Sequence, residues 1–365
     1  MRITGIDLEA VDVNGQHHWV FVHVRTDEGV DGLGELNPSA PRQAVLAALR
    51  IMEREVIGKD PRRIEQLSAQ LKPRPDDRPA VHALCAFEQG LWDILGKSLD
   101  VPVHALLGGR CRDSIPVYAN VTRAALEGTP DDFVRQATGA VADGHTAVKI
   151  APFDGRFGDG DGLIDHGLEC VHAVREAVGP DIDLLLDCYG RFSLNEARRI
   201  ADGLRGIELY WLEEPVGERD LEGYRQIRKE TGWRIAGGER AMLIEGCWPL
   251  FDPEAIDVLM PDVTIAGGIG ELKKIASIAE SRGQLTAPHG PFGPVAVAAH
   301  VQIMASHPGF LILEYAWGQV PWCEELVTPA EQVVDGRIDT PGRPGLGLCL
   351  EPSVVEEHRV DPAAA

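Results

Sequence analysis

Three acidic residues stand 26 residues apart, each closing an apolar run: Asp187 after DIDLLL, Glu213 after LYWL and Glu239 after WRIAGG. That interval is the length of one strand–loop–helix–loop unit of an α/β barrel, whose strand ends meet at one mouth. Carboxylates gathered there resist ionisation unless a cation joins them. An all-oxygen set with room for water suits Mg2+, and Mn2+ can replace it. The competing reading is ordinary helix capping and ion pairing, with Glu214 and Arg240 beside the two glutamates. The rhythm persists: Asp262, His289 and Glu314 follow at intervals of 23, 27 and 25 residues, and Lys149 precedes. From the second strand onward, every expected strand end carries an ionisable residue.

Those residues need a frame. Eight apolar segments supply it: IPVYANV, HTAVKIA, IDLLLD, IELYWLE, RIAGGE, AIDVLMPD, LTAPH and FLILEY. Helical patterns such as DDFVRQATGAVAD, GLIDHGLECVHAVREAV, LNEARRIADGL and GIGELKKIASIAESR run between them. This alternation predicts an α/β fold with a TIM-like (β/α)8 barrel over residues 114–318. An open doubly wound sheet is the alternative, but no GxGxxG follows a first strand, and GGIG at 267–270 comes too late. Residues 1–113 read differently. Alternating strands (ITGIDLEAVDV, WVFVHVRTDEGVDGLGEL) precede helical stretches, the second with Leu84, Phe87, Leu91, Ile94 and Leu95 on one face. This block is expected to form an α+β capping domain. The Pro- and Gly-rich segment 319–365 is expected to return to it.

Composition narrows the classes. A net charge of −22 over 365 residues argues against nucleic acid as a partner. An anionic substrate would then need positive charge concentrated locally. No run of about 20 apolar residues is present, so no membrane span is expected. Seven cysteines without CxxC spacing fit reduced thiols. With a start that lacks a signal-peptide apolar region, they give a cytoplasmic expectation. Cys188, beside Asp187, reads as a packing residue.

The motifs FEQGLWDILGKSLDVPVHALLGG, DCYGR, WLEEP, AGGER, MPDVTIAGGI and APHGPFGP resemble the enolase superfamily, in its mandelate racemase (mandelate racemase/muconate lactonizing enzyme) subgroup, over essentially the whole chain. The resemblance implies Asp187, Glu213 and Glu239 as metal ligands, His289 with Asp262 as a His–Asp base, and Glu314 as a hydrogen-bond partner of the substrate. It also implies a homo-oligomer, often an octamer. Superfamily chemistry is removal of a proton α to a carboxylate, with Mg2+ stabilising the enediolate. Lys149 in VKIAP matches the first lysine of the subgroup's Lys-x-Lys, and Ala151 replaces the second. That departure moves the pattern away from two-base racemases and toward galactonate-type acid-sugar dehydratases. In those, a histidine two residues after the first ligand protonates the leaving hydroxyl; here the position is Tyr189.

The resulting expectation is a Mg2+-dependent dehydratase of a sugar acid, aldonate- or aldarate-like, that yields a 2-keto-3-deoxy acid. Racemisation or epimerisation of a carboxylate is the first alternative; a metal- and ligand-binding barrel without turnover is the second. Tyr189 and His289 are both candidates for the general acid. Arg191, Asn120 and Arg123 are expected to face the substrate, with Lys149 adding a positive contact. Trp317 and the cap loop with His17, His18 and Trp19 are expected to close the pocket.

Overall fold

The computed structural model describes residues 1–15, 17–330 and 332–363. An antiparallel sheet of β1 (Ile3–Asp12), β2 (His18–Thr26) and β3 (Gly32–Leu36) opens the chain, in that spatial order. Helices α1 (Arg42–Val56), α2 (Ile64–Leu71), α3 (Arg78–Leu99) and the single turn α4 (Val103–Leu106) follow. Strand β3 and α3 meet backbone to backbone. A side chain at Gly32 would strike the Gly90 carbonyl at 1.9 Å, and one at Gly34 the Ala86 carbonyl at 2.0 Å. The alternating glycines of GLGEL are what let the helix lie on the sheet.

Then the βα alternation begins: β4 (Ser114–Asn120), α5 (Pro130–Ala142), β5 (Ala147–Ile150), α6 (Gly160–Val178), β6 (Asp183–Asp187), α7 (Leu194–Gly203), β7 (Trp211–Glu213), α8 (Leu221–Thr231) and β8 (Ile235–Gly237). It continues through α9 (Leu243–Cys247), β9 (Val258–Leu259), α10 (Ile269–Ser281), β10 (Leu285–Thr286), α11 (Pro294–Ala305) and β11 (Leu313–Ala316). Strands β4 to β10 pair in sequence order, all parallel, and β11 pairs parallel with β4. The ring closes between β10 and the run into β11 through one parallel bridge, Thr286 to Phe310, with the Leu311 amide donating to the Thr286 carbonyl at 2.9 Å. The eight segments read from the sequence are therefore the eight barrel strands.

The C-terminal part adds β12 (Val327–Thr328), β13 (Val333–Val334), β14 (Arg337–Asp339), β15 (Cys349–Leu350) and α12 (Pro352–Glu357). Strand β14 pairs antiparallel with the start of β4. Beyond α12 the chain reaches the cap, where the Asp12 amide donates to the His358 carbonyl at 2.9 Å and the Val360 amide to the Ala10 carbonyl at 3.0 Å. Among the described residues no helix is long and apolar enough to cross a membrane. Among the described residues Cys85, Cys111, Cys170, Cys188, Cys247 and Cys349 form no disulfide.

Cap and barrel are joined by buried carboxylates. Glu35 of β3 takes the Gly293 amide (2.7 Å), the Val295 amide (3.1 Å) and the Ala296 amide (3.0 Å) at the N-terminus of α11. Glu88 of α3 takes the Ile269 and Gly270 amides of α10 at 2.6 and 2.8 Å. Each satisfies amides that a helix start cannot pair internally and places an acceptor at the positive end of its dipole. The late GGIG has its explanation here, because a side chain at Gly268 would meet the Glu88 carboxylate at 2.2 Å. Burial pushes both carboxyls up to about 7 against the pull of these amides.

Glu35→Ala orphans three buried amides and should cost about 3 kcal/mol or more in urea unfolding. The sign with pH follows from linkage. The native state holds the Glu35 proton more tightly than the unfolded chain, so this group's contribution falls as pH rises from 4.5 to about 7. The penalty of Glu35→Ala should therefore be larger below that window than above it.

Candidate active site

Strand periodicity places the site. The barrel interior is filled by Tyr118, Ala147, Leu185, Trp211, Met260, Ala287 and Ile312, all packed in one cluster. Two residues further along each strand, on the same inward face, come Asn120, Lys149, Asp187, Glu213, Asp262, His289 and Glu314. They form the polar layer above the apolar plug, at the C-terminal mouth. Glu239 breaks the parity, lying three residues beyond Ala236. Gly238, with φ +102°, turns the chain so that this carboxylate rejoins the layer.

Asp187, Glu213 and Glu239 each offer an oxygen within 4.8 Å of the others. All three are buried. Burial, then the Glu213 charge, pushes the Asp187 carboxyl well up; burial also raises that of Glu213. A compact, buried, all-carboxylate set held against its own repulsion fits a hard divalent cation. The ion pairs of the competing reading are present too. Arg240 reaches Glu239 at 2.9 Å and Glu214 at 3.1 Å, and Lys149 lies 3.0 Å from Glu213. They compensate part of the cluster and leave the Asp187 carboxyl raised.

Lys149 is also 2.6 Å from Glu314. For this pair the two directions agree. Against burial, the charges of Glu213 and Glu314 hold the Lys149 ammonium well above its usual range, and Lys149 and His289 hold the Glu314 carboxyl at about 2. Glu314 further accepts from Asn120 Nδ2 (2.7 Å) and the Gly290 amide (3.0 Å).

His289 Nδ1 donates to Asp262 Oδ2 at 2.9 Å, which fixes the tautomer and leaves Nε2 facing the cavity, 3.4 Å from Glu239. Burial lowers the imidazole, but Glu239, Glu314 and Asp262 outweigh it and lift it to about 10. The other oxygen of Asp262 accepts both the amide and the hydroxyl of Thr264 at 2.7 Å. Thr264 in turn is held by the cap: Asn37 Nδ2 donates to its hydroxyl at 2.9 Å and His82 Nδ1 to its carbonyl at 3.0 Å. A continuous hydrogen-bonded line runs from cap to Asp262 to His289.

A cavity of about 280 Å3 opens on this layer, lined by Lys149, Asp187, Glu239, His289, Tyr189 and Arg123 among others. Tyr189 has φ +58° and donates its amide to Asp187. Burial, then Asp187 and Asp154, push its phenol well up. Three residues expected to contact substrate are not among those that line this cavity. His18 sits 3.6 Å from Asp12, its partner across the β1–β2 pair. Trp317 turns outward onto α5, donating to Asp143 at 2.9 Å and covering Gly139. Arg191 lies over Gly155 and near Tyr189, its Cζ 6.0 Å from that ring centroid. Trp19 is buried against Trp322. Cys188 is buried with its thiol pushed well up, as a packing residue should be. Sequence reading missed Asn37, His82 and Thr264. Only MPDVT, two residues past Asp262, carried a hint.

The family model described as Mandelate racemase / muconate lactonizing enzyme, N-terminal domain, matches residues 7–108, and that described as Enolase C-terminal domain-like matches 132–354. A D-xylonate dehydratase of Haloferax volcanii is 32% identical over 97% of this chain and 89% of its own. A D-gluconate dehydratase of Thermoproteus tenax is 32% identical over 97% and 72%. A D-galactarolactone cycloisomerase of Agrobacterium fabrum is 32% identical over 93% and 91%. Among solved structures, a mandelate racemase/muconate lactonizing enzyme-like protein of Rubrobacter xylanophilus superposes with a TM-score of 0.89 at 31% identity, covering 99% of this chain and 98% of that one.

Proposed function

The chain belongs to the mandelate racemase/muconate lactonizing enzyme family of the enolase superfamily, and on that premise we propose that it is a Mg2+-dependent sugar-acid dehydratase. The observation that carries this reading is the meeting, at one cavity, of the three-carboxylate cluster and the His289–Asp262 pair, with His289 Nε2 3.4 Å from Glu239. A divalent cation held by Asp187, Glu213 and Glu239 would offset the second negative charge that develops on a substrate carboxylate as its α-proton leaves.

The chain's own groups do the rest. Lys149 Nζ adds a fixed positive charge beside the carboxylate layer. With a cation on Glu239 offsetting the charge that most raises the imidazole, His289 Nε2 would be free to take the α-proton, while Asp262 holds the ring and stabilises the imidazolium. A phenol raised as far as that of Tyr189 is a weak donor, so the His289 imidazolium is the better-matched acid for the leaving β-hydroxyl. The enol then tautomerises to a 2-keto-3-deoxy acid. A 1,1-proton transfer lacks its usual second base, because position 151 is a buried alanine and Lys149 is held between Glu213 and Glu314. The dehydratase names of the relatives support elimination.

A library of aldonic and aldaric acids incubated with the protein and Mg2+, read with semicarbazide, tests the reading. Keto-acid formation with at least one member supports it; silence across the library with intact Mg2+ binding points to a binding barrel. Thr264→Val removes one charge-assisted hydrogen bond from Asp262 and should lower kcat about 10-fold or more, with Thr264→Ser retaining most activity. Equal loss in both variants would mean that the hydroxyl is not what positions the pair.

A further inference from the structure

Two cations that line the catalytic cavity, Arg78 and Arg123, serve neither the cluster nor the base, and of the two Arg123 is the more buried. Arg123 follows β4 and lines the cavity, yet among the described residues it is in no hydrogen bond and no ion pair. Its guanidinium lies over the face of Phe292, 5.7 Å from Cζ to the ring centroid. Phe292 in turn stands edge-on to His289, with centroids 5.4 Å apart. The free guanidinium is thus one aromatic ring away from the base, a span that a short polyhydroxylated carbon chain can bridge. The cap contributes to the same corner. Burial, then the charges of Arg123 and Arg156, lowers the imidazole pKa of His17, so the cap loop is within electrostatic range of Arg123.

A half-buried guanidinium in no ion pair is a ready partner for an anion that arrives with the ligand. The reacting carboxylate is claimed at the cluster end, so the anion at Arg123 belongs to the far end of the substrate. We propose that the substrate is a dicarboxylate, an aldarate-type sugar diacid, whose distal carboxylate pairs with Arg123. The planar fork of one guanidinium matches one planar carboxylate. The inference rests on the reading of this cavity as a sugar-acid site and narrows it.

The test compares an aldarate with the aldonate of the same length and configuration, in wild type, Arg123→Met and Arg123→Lys, all with Mg2+. Losing an enclosed charge partner costs on the order of 100-fold. Arg123→Met should therefore lower kcat/KM for the diacid by a factor on the order of 30 more than for the monoacid, with Arg123→Lys between. Equal losses for both acids would overturn the proposal, because Arg123 would then hold the shared end. So would a wild-type preference for the monoacid or for a terminally phosphorylated aldonate. Calorimetric binding of the same acids gives a second readout. Arg123-dependent preference for the diacid without turnover sustains the proposal while the dehydratase reading fails; turnover of monoacids alone does the reverse.

Discussion

Asp187→Asn should raise the melting temperature of the Mg2+-free protein and abolish the further rise that Mg2+ gives the wild type. In the native fold Asp187 shares a buried space of a few ångströms with Glu213 and Glu239, and burial with the Glu213 charge pushes its carboxyl well up. Removing that charge relieves repulsion, worth about 1–3 kcal/mol on the scale of single substitutions that remove a buried charge conflict. Asparagine keeps the oxygen that accepts the Tyr189 amide, so the local turn survives. The wild type at a Mg2+ concentration one hundred times its Kd should gain about 2.7 kcal/mol, and the variant close to none. Turnover should fall by about 1000-fold or more, since a cation's charge stabilisation amounts to several kcal/mol. Calorimetric melting with and without Mg2+ decides it. A destabilised variant that still responds to Mg2+ would show that Asp187 is structural.

His289→Asn has the second large effect. It removes the nitrogen proposed to take the proton while leaving an amide that can still face Asp262. Keto-acid formation should drop by about 1000- to 10000-fold, the upper range for a general base. The Mg2+-induced rise in melting temperature should persist, which separates loss of chemistry from loss of the site. Solvent deuterium at C3 of the keto-acid product should vanish with turnover. Uptake that continues in the variant would name a different base.

The frame of the site was legible because it obeys strand parity. Each of Asp187, Glu213, Asp262, His289 and Glu314 lies two residues past an inward apolar residue, so apolar runs ending in one ionisable residue marked the mouth. Glu239 was legible from spacing alone, its off-parity place being corrected by Gly238. Helix α11 was not legible. Every residue from Pro294 to Ala305 is buried, so no polar face marks its period. The contacts that dock the cap were also hidden, because Glu35 meets α11 across 258 residues of chain and no local pattern reports such a pairing. Trp317 and His18 were near the mouth in sequence but found partners first: Asp143 for the indole and Asp12, across the hairpin, for the imidazole. Loop side chains go where tertiary partners draw them, and spacing says nothing of that.

The most direct measurement runs the reaction in D2O with Mg2+ and weighs the product. Dehydration through His289 predicts a product lighter by one water, carrying one solvent deuterium at C3 and none at C2. A recovered acid of unchanged composition with deuterium at C2 would contradict it and make the protein an epimerase.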